Sequence, residues 1–599
     1  MIDLKNKYKN IFMVALLALL STIGVVATIK TTDKTILGNS IYSLVIFSGI
    51  YILLKYCFSL VRNRRKDLGA LIVSLIFAIS MVWGRNTMLF DDALVFSFLT
   101  CIRILLIWPL WFGLIRALFA LKIRDHLVGE ETLAKIKDFA ASKHGLLIIW
   151  VVILLCWLPY LLAYFPSVYG YDGPRQVTEF VTHNINSHHP VLHTYLLGIT
   201  IGKLKNPWWL GAAVYSALQT LILSFALASI STFIAKYSRT LLLPLGSLLA
   251  FALLPFYPIM AVTTTKNVIF TALFILLEIQ LIKIAWEKDY FNNWRDILLF
   301  GVISFLSMAF LKQAMYVYVL TVFILCCLLK HNRKHLLLTA VITVGIFMLY
   351  SGPFLSSLNV TNNRDDAIKE SLSIPECQIA RAVVRHPRDY QGRQLREVKK
   401  FIPDYSNYRG PLEAISDPVK STFNAKAVRQ EPGRFIKLYF TVGRKHPSEY
   451  VNAFCRLTVQ LWYLGMNKDT LAFGEPYYEV HSLSLLPNQS RQTSDKSLLP
   501  SFKNIVDAFS NQQYYEKIPL VSLLFSAALP FIIMTVSLGK VIISKQKHYL
   551  VILIMPVIFW LILLVFSPVI LLRYVLPLVG VEGLLMLPVV NGFYNSRKL

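Results

Sequence analysis

Asp172 lies in the stretch FPSVYGYDGPRQVTEFVTHNINSHHPVLHTYLL, residues 165–197, a polar interruption between long apolar runs. A carboxylate placed there can take a proton from a hydroxyl or orient one. Three cations stand at helix ends far away in the chain: Lys266 in FYPIMAVTTTKN, Lys312 beside Gln313 in LKQAMY, and Arg573 beside Tyr574 in SPVILLRYVLPL. A single charge at such a place ordinarily snorkels to the membrane interface. Three that return to the face of one carboxylate point instead to a shared anionic ligand, because Arg holds phosphate by its planar fork and Lys as a point charge.

His188, His189 and His193 follow in the same stretch. HPVLH has the His spacing of a zinc-protease helix but lacks the Glu that would serve as base, and Pro190 puts His189 at the helix entrance. These histidines therefore read either as donors to a sugar, a phosphate or Asp172, or as a structural cap. No cofactor is required by the sequence. A divalent cation beside Asp172 stays open, since the carboxylate and a phosphate both supply hard oxygen ligands.

The elements that must position these groups are membrane helices. Of 599 residues 56% are hydrophobic and 16% charged, with mean hydropathy +0.56, a balance a soluble core does not accommodate. The net charge of +27 comes in short basic clusters between apolar runs, which orients helices and argues against nucleic acid as a partner. Segments of spanning length fall near 10–29, 38–59, 68–84, 95–121, 145–164, 207–234, 241–259, 267–286, 296–311, 314–330, 335–353, 518–541, 548–567 and 570–590, about fourteen in all. The start, charged then apolar, has no small-residue cleavage site and reads as a retained helix.

Lys and Arg cluster at every second loop: Lys5 to Lys9, Arg62 to Lys66, Lys122 to Lys143, Lys236/Arg239, Lys288/Arg295, Lys330 to Lys334, Lys540 to Lys547 and Arg597/Lys598. That pattern puts both termini in the cytoplasm and faces the Asp172 loop and residues 354–517 outward from the cytoplasmic membrane. Four units result: 1–144, about four helices and a basic link; 145–353, a core with the outward loop 165–206; 354–517, a mainly helical extracytoplasmic insert; and 518–599, the last membrane helices. No internal repeat is visible. Within 165–197, Gln176, Glu179 and His183 recur at helical spacing after the Gly-Pro turn, and a second short helix starts after Pro190, so both read as interfacial. Cys377 and Cys455 alone fall in the insert and make either a disulfide or two buried thiols.

With these residues in place the chain resembles the GT-C superfamily of integral-membrane glycosyltransferases, in particular an uncharacterised bacterial branch. The likeness rests on Tyr171-Asp172-Gly173, His189-Pro190, Thr265-Lys266-Asn267 and Arg573-Tyr574 with Pro577, in that order, over roughly 145–590. Asn267 stands where the branch carries Asp, and Lys312 where it carries Arg. The four leading helices look like an addition. The resemblance implies a GT-C-like all-α bundle that moves a hexosyl or pentosyl group from a polyprenyl-phosphate or polyprenyl-diphosphate carrier to a cell-envelope glycan, lipid or protein. It implies Asp172 as base or acceptor-orienting group, Lys266, Lys312 and Arg573 on the donor phosphate, and Tyr171, Arg175, Gln176, His188, His189 and Tyr574 around sugar and acceptor. The competing class is a transporter or flippase of a lipid-linked or anionic solute, which needs ionisable groups near the bilayer midplane. Arg103 and Arg116 are the residues that favour it.

Overall fold

The computed structural model describes residues 2–28, 41–61, 63–93, 98–120, 130–170, 172–204, 206–207, 209–362, 364–409, 414–465, 496–511 and 521–591. The described residues are almost entirely helical, without strands. Eight of their helices are long and apolar enough to cross a membrane, or ten if each of two bent pairs is one span. The chain is a polytopic membrane protein.

Of the about fourteen spans expected, eight to ten meet that test among the described residues, and helix length accounts for part of the difference. Segments 296–311 and 314–330 become Trp294–Phe310 and Ala314–Leu328, and the longest helix in the described part of 518–541 is Leu529–Ser544, of 17, 15 and 16 residues. At 1.5 Å per residue these reach about 22–26 Å, short of a hydrocarbon core of about 30 Å. Segment 241–259 bends by 50° between Leu253 and Phe256, where Pro255 drives Leu254 out of the helical region. Segment 570–590 bends by 47° between Gly580 and Glu582.

The Lys266–Trp286 helix is the most enclosed of the spans. It packs against Leu210–Tyr237, Trp294–Phe310 and Leu572–Gly580, and its buried Val, Ile, Phe and Leu side chains belong to the largest core cluster. The leading helices form their own group. Arg64–Phe90 and Phe98–Ala120 pack together, and Arg116 Nε meets Asp67 Oδ1 at 2.5 Å. Leu529–Ser544 joins this group to the core by setting Ile543 over Gly69 and Gly539 over Val73.

The insert has a separate apolar core, including Cys377, Ile379, Val383, Phe401, Phe423 and Phe435. Cys377 and Cys455 are both free and buried, on the packed helices Ser373–Arg385 and Pro447–Thr458. Of the two readings, a disulfide or two buried thiols, this structure has the thiols. The insert grips the end of Arg64–Phe90 through Arg381, which bonds both the Asp91 carboxylate at 3.0 Å and its carbonyl at 2.7 Å. Asn452 joins the same contact by donating to Asp92 and accepting from the Ala93 N–H.

Candidate functional site

Two short parallel bridges determine where the Asp172 loop lies. Val168 N–H donates to Val262 at 2.9 Å and Thr264 N–H donates back to Val168 at 2.8 Å. Gly170 N–H adds a bond to Thr264 Oγ1 at 3.1 Å. Gly173 then lies against Thr264 so closely that a Cβ there would be 2.4 Å from its Oγ1, which is why the loop carries glycine at that point. The second bridge ties the end of the loop to the start of the insert, with Thr361 N–H on Ile185 at 3.1 Å and Ser187 N–H on Thr361 at 2.8 Å.

A buried relay of side chains supports the first bridge from behind. Gln176 Nε2 donates to Thr194 Oγ1 at 2.9 Å, and its Oε1 lies 2.9 Å from His193 Nδ1. His193 Nε2 meets Tyr215 Oη at 2.8 Å, and Tyr215 donates to Gln219 Oε1 at 2.7 Å. Gln219 Nε2 donates to the carbonyls of Ala261 and Thr263 at 2.9 and 2.7 Å. The turn that presents Lys266 is thereby satisfied by polar partners in an otherwise apolar interior.

Asp172, at the N-cap of the helix Gly173–Val181, gathers positive charge. Its Oδ2 lies 3.2 Å from Lys266 Nζ, 3.7 Å from an Arg573 guanidinium nitrogen and 3.8 Å from His189 Nδ1. Arg573 also donates to Tyr574 Oη at 2.9 Å. Lys312 donates to the carbonyl of Ser187, so the loop's end is fixed by a cation. These groups line a cavity of about 370 Å³. The same cavity is lined by Phe559, Ile562, Leu563 and Phe566, spaced i, i+3, i+4, i+7 and hence one apolar face of Leu550–Phe566. The insert contributes Glu370, Asp417 and Lys420, with Lys420 Nζ 3.0 Å from Glu370 and 2.8 Å from Asp417.

The electrostatics follow from these distances. Burial raises the Asp172 carboxyl, but Lys266, Arg573 and His189 outweigh it and hold the group well below the usual carboxylate range. Burial and the charge of Lys266 push His189 down to about 2. His189 is therefore neutral at pH 7, and neither ring nitrogen makes a hydrogen bond. Burial, then Lys266, lowers Lys312. Lys420 loses charge stability to burial but gains more from Glu370 and Asp417, and ends above its ordinary value.

Of the residues expected from sequence, Asp172, Lys266, Lys312, Arg573, Tyr574 and His188 line the cavity. His189 reaches Asp172 from behind. Gln176 is buried in the relay instead, and Arg175 points to Glu179 at 3.4 Å with its side chain largely exposed. Tyr171 lies outside the described residues. The helix expected to run through His183 stops at Val181, because His183 turns to φ 55°. Glu370, Asp417 and Lys420 were missed, having no local pattern to distinguish them from a solvated helical face. Glu278 was also missed. It is fully buried on the Lys266–Trp286 helix with both carboxyl oxygens unbonded.

Residues 182–598 match the model of DUF6020, a family of unknown function. The chain belongs to this family. No curated protein and no solved structure matches it. The DUF6020 region contains Lys266, Lys312, Arg573, Tyr574 and the insert residues of the cavity, whereas Asp172 precedes it.

Proposed function

We propose that this DUF6020 chain is a membrane glycosyltransferase of GT-C type, moving a sugar from a polyprenyl-phosphate or polyprenyl-diphosphate carrier to an acceptor at the outer face of the cytoplasmic membrane. The observation that carries the reading is the cavity itself: its lining combines an apolar helical face of Phe559, Ile562, Leu563 and Phe566 with Lys312 and with a carboxylate, Asp172, paired to Lys266 and Arg573. That is the shape of an amphiphile with an anionic head. The alternation of basic loops supports the outward orientation.

In this mechanism the donor phosphate takes over Lys266 and Arg573 from Asp172. The carboxylate, too weak a base while both cations face it, then returns toward its ordinary basicity. It accepts the proton of the acceptor hydroxyl as that oxygen bonds the anomeric carbon. The carbon–oxygen bond to phosphate breaks, and its electron pair goes to a phosphate oxygen held by Lys266, Lys312 and Arg573. Glu370 and Asp417 offer carboxylate acceptors to hydroxyls of the sugar or acceptor, and Tyr574 and His188 line the same cavity.

Purified protein assayed with a polyprenyl-phosphate sugar should lose about 10²-fold or more in turnover on Asp172→Asn, while a polyprenyl-phosphate analogue still binds. Arg573→Met should weaken that binding. Unchanged glycan product in Asp172→Asn would end the assignment. Transport of an anionic lipid is the second reading, favoured by Glu278, a buried acid inside a span. Solute movement across vesicles that depends on Glu278 and not on Asp172 would select it.

A further inference from the structure

Outside the cavity, the insert contains two copies of one six-residue pattern: Arg385-His386-Pro387-Arg388-Asp389-Tyr390 and Lys445-His446-Pro447-Ser448-Glu449-Tyr450, each basic, His, Pro, any residue, acidic, Tyr. The expectation of no internal repeat is corrected at this scale. Each histidine caps a helix C-terminus in nearly the same backbone conformation, φ −126° and ψ 58° for His386, φ −133° and ψ 65° for His446. The fold sets the two copies face to face. The imidazoles stack at 4.0 Å with planes 8° apart, and each faces the other copy's acid: His386 Nε2 is 3.1 Å from Glu449 Oε1, and His446 Nε2 is 3.0 Å from Asp389 Oδ2.

We propose that His386, Asp389 and His446 form a zinc-class metal site in the extracytoplasmic insert, with Glu449 orienting His386 from behind. One ligand atom from each of the three lies within 4.8 Å of the others. Tetrahedral bonds of about 2.0–2.1 Å put neighbouring ligand atoms about 3.3–3.4 Å apart, so the His446–Asp389 pair is already near that spacing, while His386, whose Nε2 faces Glu449, has to close in with its Nδ1. His446 Nε2 stands 3.0 Å from the Asp389 carboxylate. Two imidazoles and one carboxylate are the donor set of zinc.

Lys445 also reaches Asp389, at 3.2 Å to its carbonyl and 3.7 Å to its carboxylate, and must release the carboxylate when a cation binds. Glu449 is held on its other oxygen by Arg381 at 2.9 Å, the same Arg381 that grips Asp91. Outer carboxylates that orient a metal-bound His in this way are a recurring device. A bound ion would therefore stiffen the joint between the insert and the leading helices.

The full-length protein in detergent, stripped with chelator and titrated with Zn²⁺ alone, should bind one ion per chain and melt at a higher temperature with it. Cobalt substitution should give tetrahedral d–d absorption. Stoichiometric binding and the metal-dependent rise should vanish in His446→Ala and His386→Ala, loosen about 10–100-fold in Glu449→Gln, and persist in Asp172→Asn, which separates this site from the cavity. Binding of no stoichiometric zinc by the wild type, or binding undiminished in Glu449→Gln and both His variants, would overturn the proposal and leave an ordinary pair of crossed ion pairs.

Discussion

At the scale of single residues, the organising loop stores its pH dependence in His189 and not in Asp172. Asp172 is held below the usual carboxylate range. Its ion pairing therefore stabilises the fold at all pH above the unfolded value of 3.8, and is lost only as pH falls through the lower folded value. His189 has the same sign in a window at higher pH. The unfolded chain takes a proton near 6.5 that the folded chain refuses until about 2, so its contribution is complete above that unfolded value and declines below it. The slope approaches about 1.4 kcal/mol per pH unit. Thermal melts should fall between pH 7 and pH 5, and His189→Gln should flatten part of that fall. Identical slopes for the two proteins would show that His189 is not the group refusing the proton.

At the scale of elements, the site depends on backbone pairing between two loops that are far apart in sequence. The contact between Gly173 and Thr264 is tight enough that an added Cβ meets the Thr264 carbonyl at 2.7 Å and its hydroxyl at 2.4 Å. Gly173→Ala forces the Asp172 loop off its neighbour, an overpacking change of about 1–3 kcal/mol. A lowered melting temperature is expected, together with weaker binding of a polyprenyl-phosphate analogue because Asp172 and Lys266 no longer share one wall. A variant that melts and binds like the wild type would remove the bridge from the argument. The same reasoning explains Gln219, remote from the cavity, whose amide satisfies the carbonyls behind Lys266.

At the scale of the whole molecule, the membrane core and the insert line the cavity, and the leading helices hold the insert from its far end. Arg381 is the joint, with a side chain only 3% exposed between Asp91 and Glu449. Removing one partner from such a buried pair costs about 3–5 kcal/mol. Arg381→Met should expose the insert to limited proteolysis and lower the melting temperature, whereas Arg385→Met, on the more exposed side of Asp91, should do less. Equal protease resistance in wild type and Arg381→Met would refute the joint. The leading helices, which read in sequence as an addition, thus hold the piece that brings Glu370, Asp417 and Lys420 to the cavity. Helices, their apolar composition and the residues Asp172, Lys266, Lys312 and Arg573 were legible in the chain because apolar length and charge placement are local properties. Span number was less so, since hydropathy does not register a bend at Pro255 or a helix of 15 residues. The relay through Gln176, the insert's share of the cavity, the unbonded Glu278 and the crossed histidines were decided only by tertiary structure, because each depends on which distant side chains burial brings within a few ångströms.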